Sequence, residues 1–340
     1  MTLTTPDLDA ITRELPRGYR ARPFREEDRE ALVAERNAEL PEVEQQSAAE
    51  WRLWESLMPD PAELRVVVEA ATGEIAAWLN VSNGGPFRAP DGSARGGLSV
   101  VRAHRGKGVG GALVRILEAE ARRLGAPKLF GGVSAREPES LAWAERRGYK
   151  EIGRRIQAAI DLERFEPAHW AERSRKARDQ GIRLLTVHEL RQGMDEARFE
   201  ALLHEIYDLE AETWADVPIA GPFPHWSYDV FHRIMLEHPG TALDLDLLAY
   251  DDDRLVGFTT SYRNQGGKKG GTNFTGVLRS HRGRGIAFAL KVDVLARAKA
   301  DGLRWMFTTN DEPNKAMRGI NHALRYEPLP AHIQLEKALA

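Results

Sequence analysis

Cysteine is absent from the 340-residue chain. Its absence excludes disulfides, thiolate nucleophiles and every zinc or iron–sulfur site that needs Cys ligands. Charge of one sign is scarce too: 48 Lys and Arg against 51 Asp and Glu leave a formal net charge of -3. A chain so balanced is not built to bind a phosphate backbone as a whole, so no nucleic-acid partner is expected. No apolar run approaches the roughly 20 residues that span a bilayer, so no membrane partner is expected. Residues 1–20 hold no basic stretch followed by an apolar core and a small-residue cleavage site, and the expected location is the cytoplasm. Lysine is sparse, 10 of the 48 basic residues, a compositional bias with little functional content. What is present is 42% hydrophobic and 29% charged residues, enough to offset chain entropy and fill the cores of two ordinary domains.

The chain repeats itself. Residues 102–110 (RAHRGKGVG) recur as 279–287 (RSHRGRGIA), and the same displacement of 177 aligns 98–149 on 275–326 without a gap. Thirteen identities fall in those 52 positions, among them Gly125/Gly302, Phe130/Phe307 and Tyr149/Tyr326. Register kept across a loop, a helix and the next strand marks a duplicated domain. The openings match as well, 18–24 with 181–187, but displaced by 163, so the second copy carries 14 extra residues upstream of its motif. They are placed in 213–228 (TWADVPIAGPFPHWSY), a loop rich in proline and aromatics.

Alternation and helical spacing predict the same plan twice. In the first copy, strands at 64–70, 75–82 and 98–102 precede a helix over 109–124 that Gly125 ends. In the second, strands at 247–250, 255–262 and 273–278 precede a helix over 286–300, ended by Gly302. Helical stretches at 26–40 and 195–214 follow the opening strands. Mixed order of this kind predicts an α+β fold with helices on a mostly antiparallel sheet. The expected division is 1–165, a connecting helix at 166–181, and 182–340.

A strand that ends in Arg-Gly-x-Gly-x-Gly/Ala and flows into a helix is an anion site. Glycines let successive backbone N–H groups converge, and the helix dipole adds positive potential there. Residues 106–111 also match the dinucleotide fingerprint GxGxxG, but the acidic residue that should follow is missing, and Phe288 breaks the pattern in the second copy. Neither copy has the P-loop spacing. A basic surface loop that binds nothing is the plain alternative, and its repetition in register argues against it.

Arg105-Gly-Lys-Gly-Val-Gly110 and Arg282-Gly-Arg-Gly-Ile-Ala287 resemble the acetyl-CoA motif of the GCN5-related N-acetyltransferases (GNAT superfamily). The resemblance covers nearly the whole chain as two tandem domains, similar to tandem members such as mycothiol synthase. It implies a splayed central strand pair in each mostly antiparallel, twisted sheet, with acetyl-CoA or another acyl-CoA as cofactor. The strand ends Val100 and Val101, and likewise Val277 and Leu278, would pair with the pantetheine arm. The turns Arg105, Gly106, Lys107, Gly108, Val109, Gly110 and Gly111, and Arg282, Gly283, Arg284, Gly285, Ile286 and Ala287, would hold the pyrophosphate. The family pattern Asn-x-x-Ala-x-x-x-Tyr, counted back from Tyr149, falls on Glu137, Ser140 and Ala144. Counted back from Tyr326 it falls on Asn314, Met317 and Asn321. Ser140 and Asn314 are therefore expected at the cofactor arm.

The reaction that the resemblance implies needs a base for the ammonium, N–H groups for the carbonyl oxygen and often an acid for the thiolate. Unit one lacks the Asn and the Tyr and is expected to bind acetyl-CoA structurally. Unit two is expected to react, with His225, Tyr262 and Asn321 as candidate catalytic residues and Asp216 and Glu212 as further candidate bases. Trp214, Phe223, Trp226 and Tyr228 could roof an acceptor pocket or pin the loop to the core. His104 and His281 are expected to make local turn contacts, and no metal site is expected. Lys268 and Lys269 read as a hairpin loop that could meet the 3′-phosphate of CoA.

The expected function is transfer of acetyl from acetyl-CoA to a small-molecule amine by a chain that can be monomeric through internal domain pairing. A non-catalytic acyl-CoA-binding protein and an acetyltransferase acting on a protein amine are the alternatives.

Overall fold

The structure, a computed structural model, describes residues 7–38, 40–49, 51–52, 63–84, 88–219, 225–238, 240–264 and 268–339. Phe223, singled out in the sequence, lies outside them. Two compact units form: residues 1–154 with 332–340, and 155–219 with 225–331.

In the first repeat, helix α1 (Leu8–Glu14), strand β1 (Tyr19–Pro23) and helix α2 (Asp28–Asn37) lead to strands β2 (Glu63–Ala70), β3 (Ile75–Ser82) and β4 (Ala94–Val100). Helix α3 (Val109–Arg123), strand β5 (Lys128–Ser134), helix α4 (Pro138–Glu145) and strand β6 (Lys150–Asp161) follow. The Asp7 side chain caps α1 by accepting from the Ala10 N–H. Strands β1 to β4 pair antiparallel in chain order. Their inward positions Val66, Val68, Leu79 and Val81 are fully buried against Leu113 and Leu117 of α3. That stripe is the centre of the unit's hydrophobic core and contributes about 2 kcal/mol for each fully buried large side chain.

The second repeat opens with helix α5 (Ala171–Arg178), strand β7 (Ile182–Thr186), a short helix α6 (Val187–Arg191) and helix α7 (Glu196–Trp214). It continues through α8 (Tyr228–Leu236), β8 (Leu247–Asp251), β9 (Arg254–Arg263), β10 (Lys269–Val277) and α9 (Ile286–Ala300). The chain closes with β11 (Trp305–Asp311), α10 (Lys315–Ala323), β12 (Glu327–Pro328) and β13 (His332–Ala338). Strands β7 to β10 again pair antiparallel in order. Thr186 and Glu189 form a reciprocal capping box on α6, and Asp195 caps α7.

Two features depart from the expected division. The stretch expected as a connector is α5, which belongs to the second compact unit and sits 163 residues after α1, the displacement that also relates β7 to β1. It is the second repeat's own first helix. The closing strands are also exchanged. Strand β5 is completed by β13, paired from His332↔Ser134 to Ala338↔Lys128. Strand β11 is completed by residues 155–161 of β6, paired from Trp305↔Asp161 to Asp311↔Arg155. Since β12 and β13 are the repeat counterparts of β6, each sheet is finished by the strand of the other copy.

Candidate functional site

The motif strand of each unit parts from its parallel neighbour after a short contact. Strand β4 meets β5 only at Ala94↔Leu129 and Arg95↔Phe130, although both strands run on. Strand β10 meets β11 only from Lys269↔Trp305 to Gly271↔Phe307. Beyond those pairs the facing backbone groups are not bonded to each other, so each unit holds a wedge whose edges suit an amide-bearing chain. At the mouth of each wedge the glycine turn enters its helix. Gly106 and Gly108 have φ of +75° and +85°, and Gly283 and Gly285 have +81° and +86°. L side chains rarely adopt this left-handed conformation, which is why glycine recurs at these positions. Val109 and Ile286, the first helical residues, are buried and fix the helix ends in the cores. The free N–H groups of the first turns and the helix dipole then point at the mouth.

Both motif arginines also bond within their own units. Arg105 Nε donates to the Val100 carbonyl at 3.0 Å, and Arg282 Nε donates to the Val277 carbonyl at 3.0 Å. Each guanidinium thus staples its turn to the end of its strand. Asp216, considered above as a base, accepts from Arg279 Nε at 2.8 Å and from Arg282 at 2.6 Å. Those two arginines hold its carboxyl well below the usual carboxylate range, which removes it as a proton acceptor near neutrality. Arg284 is tied to Asp251 at 2.6 Å, while Lys107 is exposed. His104 meets Tyr19 Oη of β1 at 3.0 Å, and His281 meets its neighbour Ser280 at 2.8 Å and Asp251 of β8 at 3.2 Å, so only the Ser280 contact is local to the turn. Lys269 is the first residue of β10.

The helix after each wedge differs between the copies. In unit one Glu137 occupies the Asn position, accepts from Ser140 Oγ at 2.7 Å and lies 3.6 Å from Arg105. Ala144 at the Tyr position is buried and has no polar group. In unit two the Asn314 side chain caps α10 by accepting from the Met317 N–H. Asn321 is buried, and its amide nitrogen donates to Asn310 Oδ1 at 2.6 Å. Its Oδ1 has no partner among the described residues. Asn321 is therefore a poor acid and an unmet buried acceptor, beside a residue of β11 past the last pair with β10. An orphaned acceptor at the wedge fits a pantetheine arm, whose amides need such partners.

Strand β10 carries a second peculiarity. Its register with β9 breaks between Thr272 and Phe274, whereas β4 pairs with β3 without a shift. Phe274 packs on Trp214 at the end of α7, ring centroids 5.7 Å apart. Trp214 in turn contacts His225 and Trp226, each at 5.7 Å. His225 Nε2 lies 3.2 Å from Glu210 Oε1. Glu210 is fully buried, which pushes its carboxyl up, while the His225 imidazole and the Trp226 indole oppose the rise. Glu210 was not singled out in the sequence. The signal was available: it shares the buried face of α7 with Leu203, Ile206 and Thr213, where a carboxylate has to be paired. Tyr262 lies elsewhere, its ring across Gly271 in the paired part of β10, and Tyr228 Oη donates to Glu200 at 2.6 Å. Trp214 and Trp226 pack on each other, and Trp226 and Tyr228 pack against the core of the second unit.

Among the described residues no group of three or more His, Asp or Glu side chains is disposed to hold a metal ion, and no helix is long and apolar enough to cross a membrane. No curated protein sequence matches the chain. A GCN5-related N-acetyltransferase from Sphaerobacter thermophilus superposes with a TM-score of 0.70 at 22% identity, over 96% of this chain and 97% of that one. A tandem GNAT protein from the clavulanic acid biosynthesis pathway, solved without AcCoA, gives a TM-score of 0.71 at 21% identity, over 95% of this chain and 99% of that one. Identities this low speak for the fold. The family model described as the acetyltransferase (GNAT) family matches residues 24–149 and again 203–320. With both wedges and both glycine turns in place, the chain belongs to the GNAT family and carries two GNAT domains in tandem.

Proposed function

We propose that the second unit transfers an acyl group from acyl-CoA to the amine of a small molecule, and that the first unit holds acyl-CoA for structure. The observation that carries the reading is the register break in β10, which the motif strand of unit one lacks. A bulge re-aims backbone groups beside a site, and here it lies next to the Trp214–His225 cluster. Bound acyl-CoA would supply a thioester carbonyl as the electrophile. The turn 282–287 would bind its pyrophosphate, and Asn321 Oδ1 and the open edges of β10 and β11 would bind its arm. Unit one offers a turn and a wedge but places Ala144 and Glu137 where a reacting site would want an acid and an amide.

The experiment is native mass spectrometry before and after adding acetyl-CoA and longer acyl-CoAs, followed by turnover with a panel of primary amines. One retained CoA, one exchangeable CoA and turnover of a small amine support the reading. Two bound CoA molecules without turnover would turn the protein into an acyl-CoA-binding one. Turnover only on protein lysines or N-termini would move the acceptor to that class. No binding at all removes the assignment of both turns.

A further inference from the structure

We propose that His225 is the catalytic base of the second unit and that Glu210 is the positioning residue that sets its tautomer. The inference rests on the acyltransferase reading above and names the residues on the acceptor side of that site.

Glu210 projects from the buried face of α7 and is 2% exposed. A carboxylate in that setting needs a donor, and His225 Nε2 lies 3.2 Å from its Oε1. With Nε2–H donated to Glu210, the lone pair falls on Nδ1. Nδ1 has no hydrogen-bond partner among the described residues, and the His225 side chain keeps 12% of its surface open. A buried carboxylate behind an imidazole, with the far nitrogen free, is an arrangement that accepts a proton and stabilises the imidazolium formed. The imidazole contacts the rings of Tyr207 at 5.1 Å and Trp214 at 5.7 Å. Tyr207 is itself fixed by donating to the Trp226 carbonyl at 3.0 Å. Through Trp214 the pair is one ring away from Phe274 at the break in β10. The titratable groups that face the pair from its neighbours are Tyr207 on the same helix and Asp246 ahead of β8, whose charge is coupled to Glu210.

The proton balance is simple. The acceptor ammonium gives one proton to His225 Nδ1, directly or through one water. The freed nitrogen lone pair forms the bond to the acyl carbon, and the carbon–sulfur bond breaks with its electron pair on sulfur. The second proton lost from nitrogen goes to the thiolate, and His225 returns its own to solvent. No oxidant or reductant enters.

Two measurements test this on the full chain. The first needs no turnover: nitrogen NMR of the histidine side chains in the protein alone, with His225→Gln used to assign the signal. The proposal expects His225 protonated on Nε2, and a mixture of tautomers in Glu210→Gln; protonation of His225 on Nδ1 in the parent protein would overturn it. The second is the pH profile of kcat/KM with acetyl-CoA and the best amine of the panel. His225→Gln is expected to lower kcat by about 10²–10³ and to abolish the acid limb, with acetyl-CoA binding unchanged. Glu210→Gln should move that limb to lower pH, because the imidazolium loses its carboxylate. His225→Asn serves if the Gln variant folds poorly. Turnover in the parent protein with an unchanged profile in the variants overturns this inference alone. Bound acetyl-CoA without turnover of any amine overturns the acyltransferase reading and takes the inference with it.

Discussion

Lys291 is a cost that the second unit carries in its core, and replacing it by methionine should remove that cost. The amine sits on α9 at 2% exposure. Its Nζ has no hydrogen-bond partner among the described residues, and it lies 5.0 Å over the ring of Tyr326. Burial lowers its pKa from the ordinary 10.5 to about 7. That gap corresponds to ~5 kcal/mol once the folded protein has to carry the charge. Between about 7 and 10.5 the unfolded chain holds a proton that the folded chain does not, so stability rises with pH across that window. Below it both states are charged and the full penalty applies. Methionine keeps the length of the side chain, loses the charge and forfeits a cation–π contact of about 1 kcal/mol. The net expectation at pH 7 is a gain of roughly 2–4 kcal/mol, or about 6–10 °C in the melting temperature of a unit this size. The assay is thermal unfolding of parent and Lys291→Met at several pH values from 6 to 9, read by tryptophan fluorescence. The gain should shrink toward pH 9. A variant no more stable than the parent at pH 6, or a gain that does not change with pH, would refute the reasoning.

Other expectations follow from the same geometry. Gly285→Val forces a β-branched residue into a left-handed conformation and should cost 1–3 kcal/mol locally. Turnover and acyl-CoA binding should fall at least tenfold, measured by steady-state kinetics and titration. Gly108→Val should instead lower the melting temperature and the amount of CoA retained in native mass spectra, with turnover by the second unit kept; the reverse pattern would exchange the roles of the units. Asp216→Asn releases Arg279 and Arg282 from their carboxylate, so acyl-CoA should bind several-fold tighter and with a steeper salt dependence in titrations at two ionic strengths. Asp246 is buried and accepts from the Ser261 N–H, and its pKa is pushed well above 3.8. The folded chain therefore holds a proton that the unfolded chain lacks, and stability falls as pH rises through that window. Asp246→Asn should flatten that fall in a melting series extended down to about pH 4.

The repeated half of each domain was legible because its chemistry is local. The turn glycines and the helices that start at Val109 and Ile286 depend on neighbours in sequence. The strand ends were placed within a few residues for the same reason. Pairing partners were not legible. Residues 155–161 and 332–338 alternate like any strand, and nothing in either says which edge it will close. The helix at 166–181 was expected as a connector because a short polar helix looks alike as a link and as an opening element. At the site, Arg105 and Arg282 belong to turns expected to hold pyrophosphate, and what they also hold within the chain was not legible. Their bonds to Val100 and Val277 arise only when the turn folds back on its strand. His225 was a candidate and Glu210 lies on the apolar face of α7, but that the two meet is a tertiary fact with no local signal.

The exchange of closing strands bears on how such a chain can be cut. Separated at residue 165, the first fragment would keep β6 without the strand that it completes, and would lack β13. Its β5 would present a bare row of N–H and C=O groups, the kind of edge that recruits another chain. The second fragment would leave β11 equally bare. Neither fragment is a module in the engineering sense, and each expressed alone should aggregate or pair with a copy of itself, taking from that copy the strand its own polypeptide no longer provides. A circular permutant that opens the chain elsewhere while retaining both closing strands should fold, whereas removal of the final nine residues, far from either glycine turn, should unravel the domain at the opposite end of the sequence.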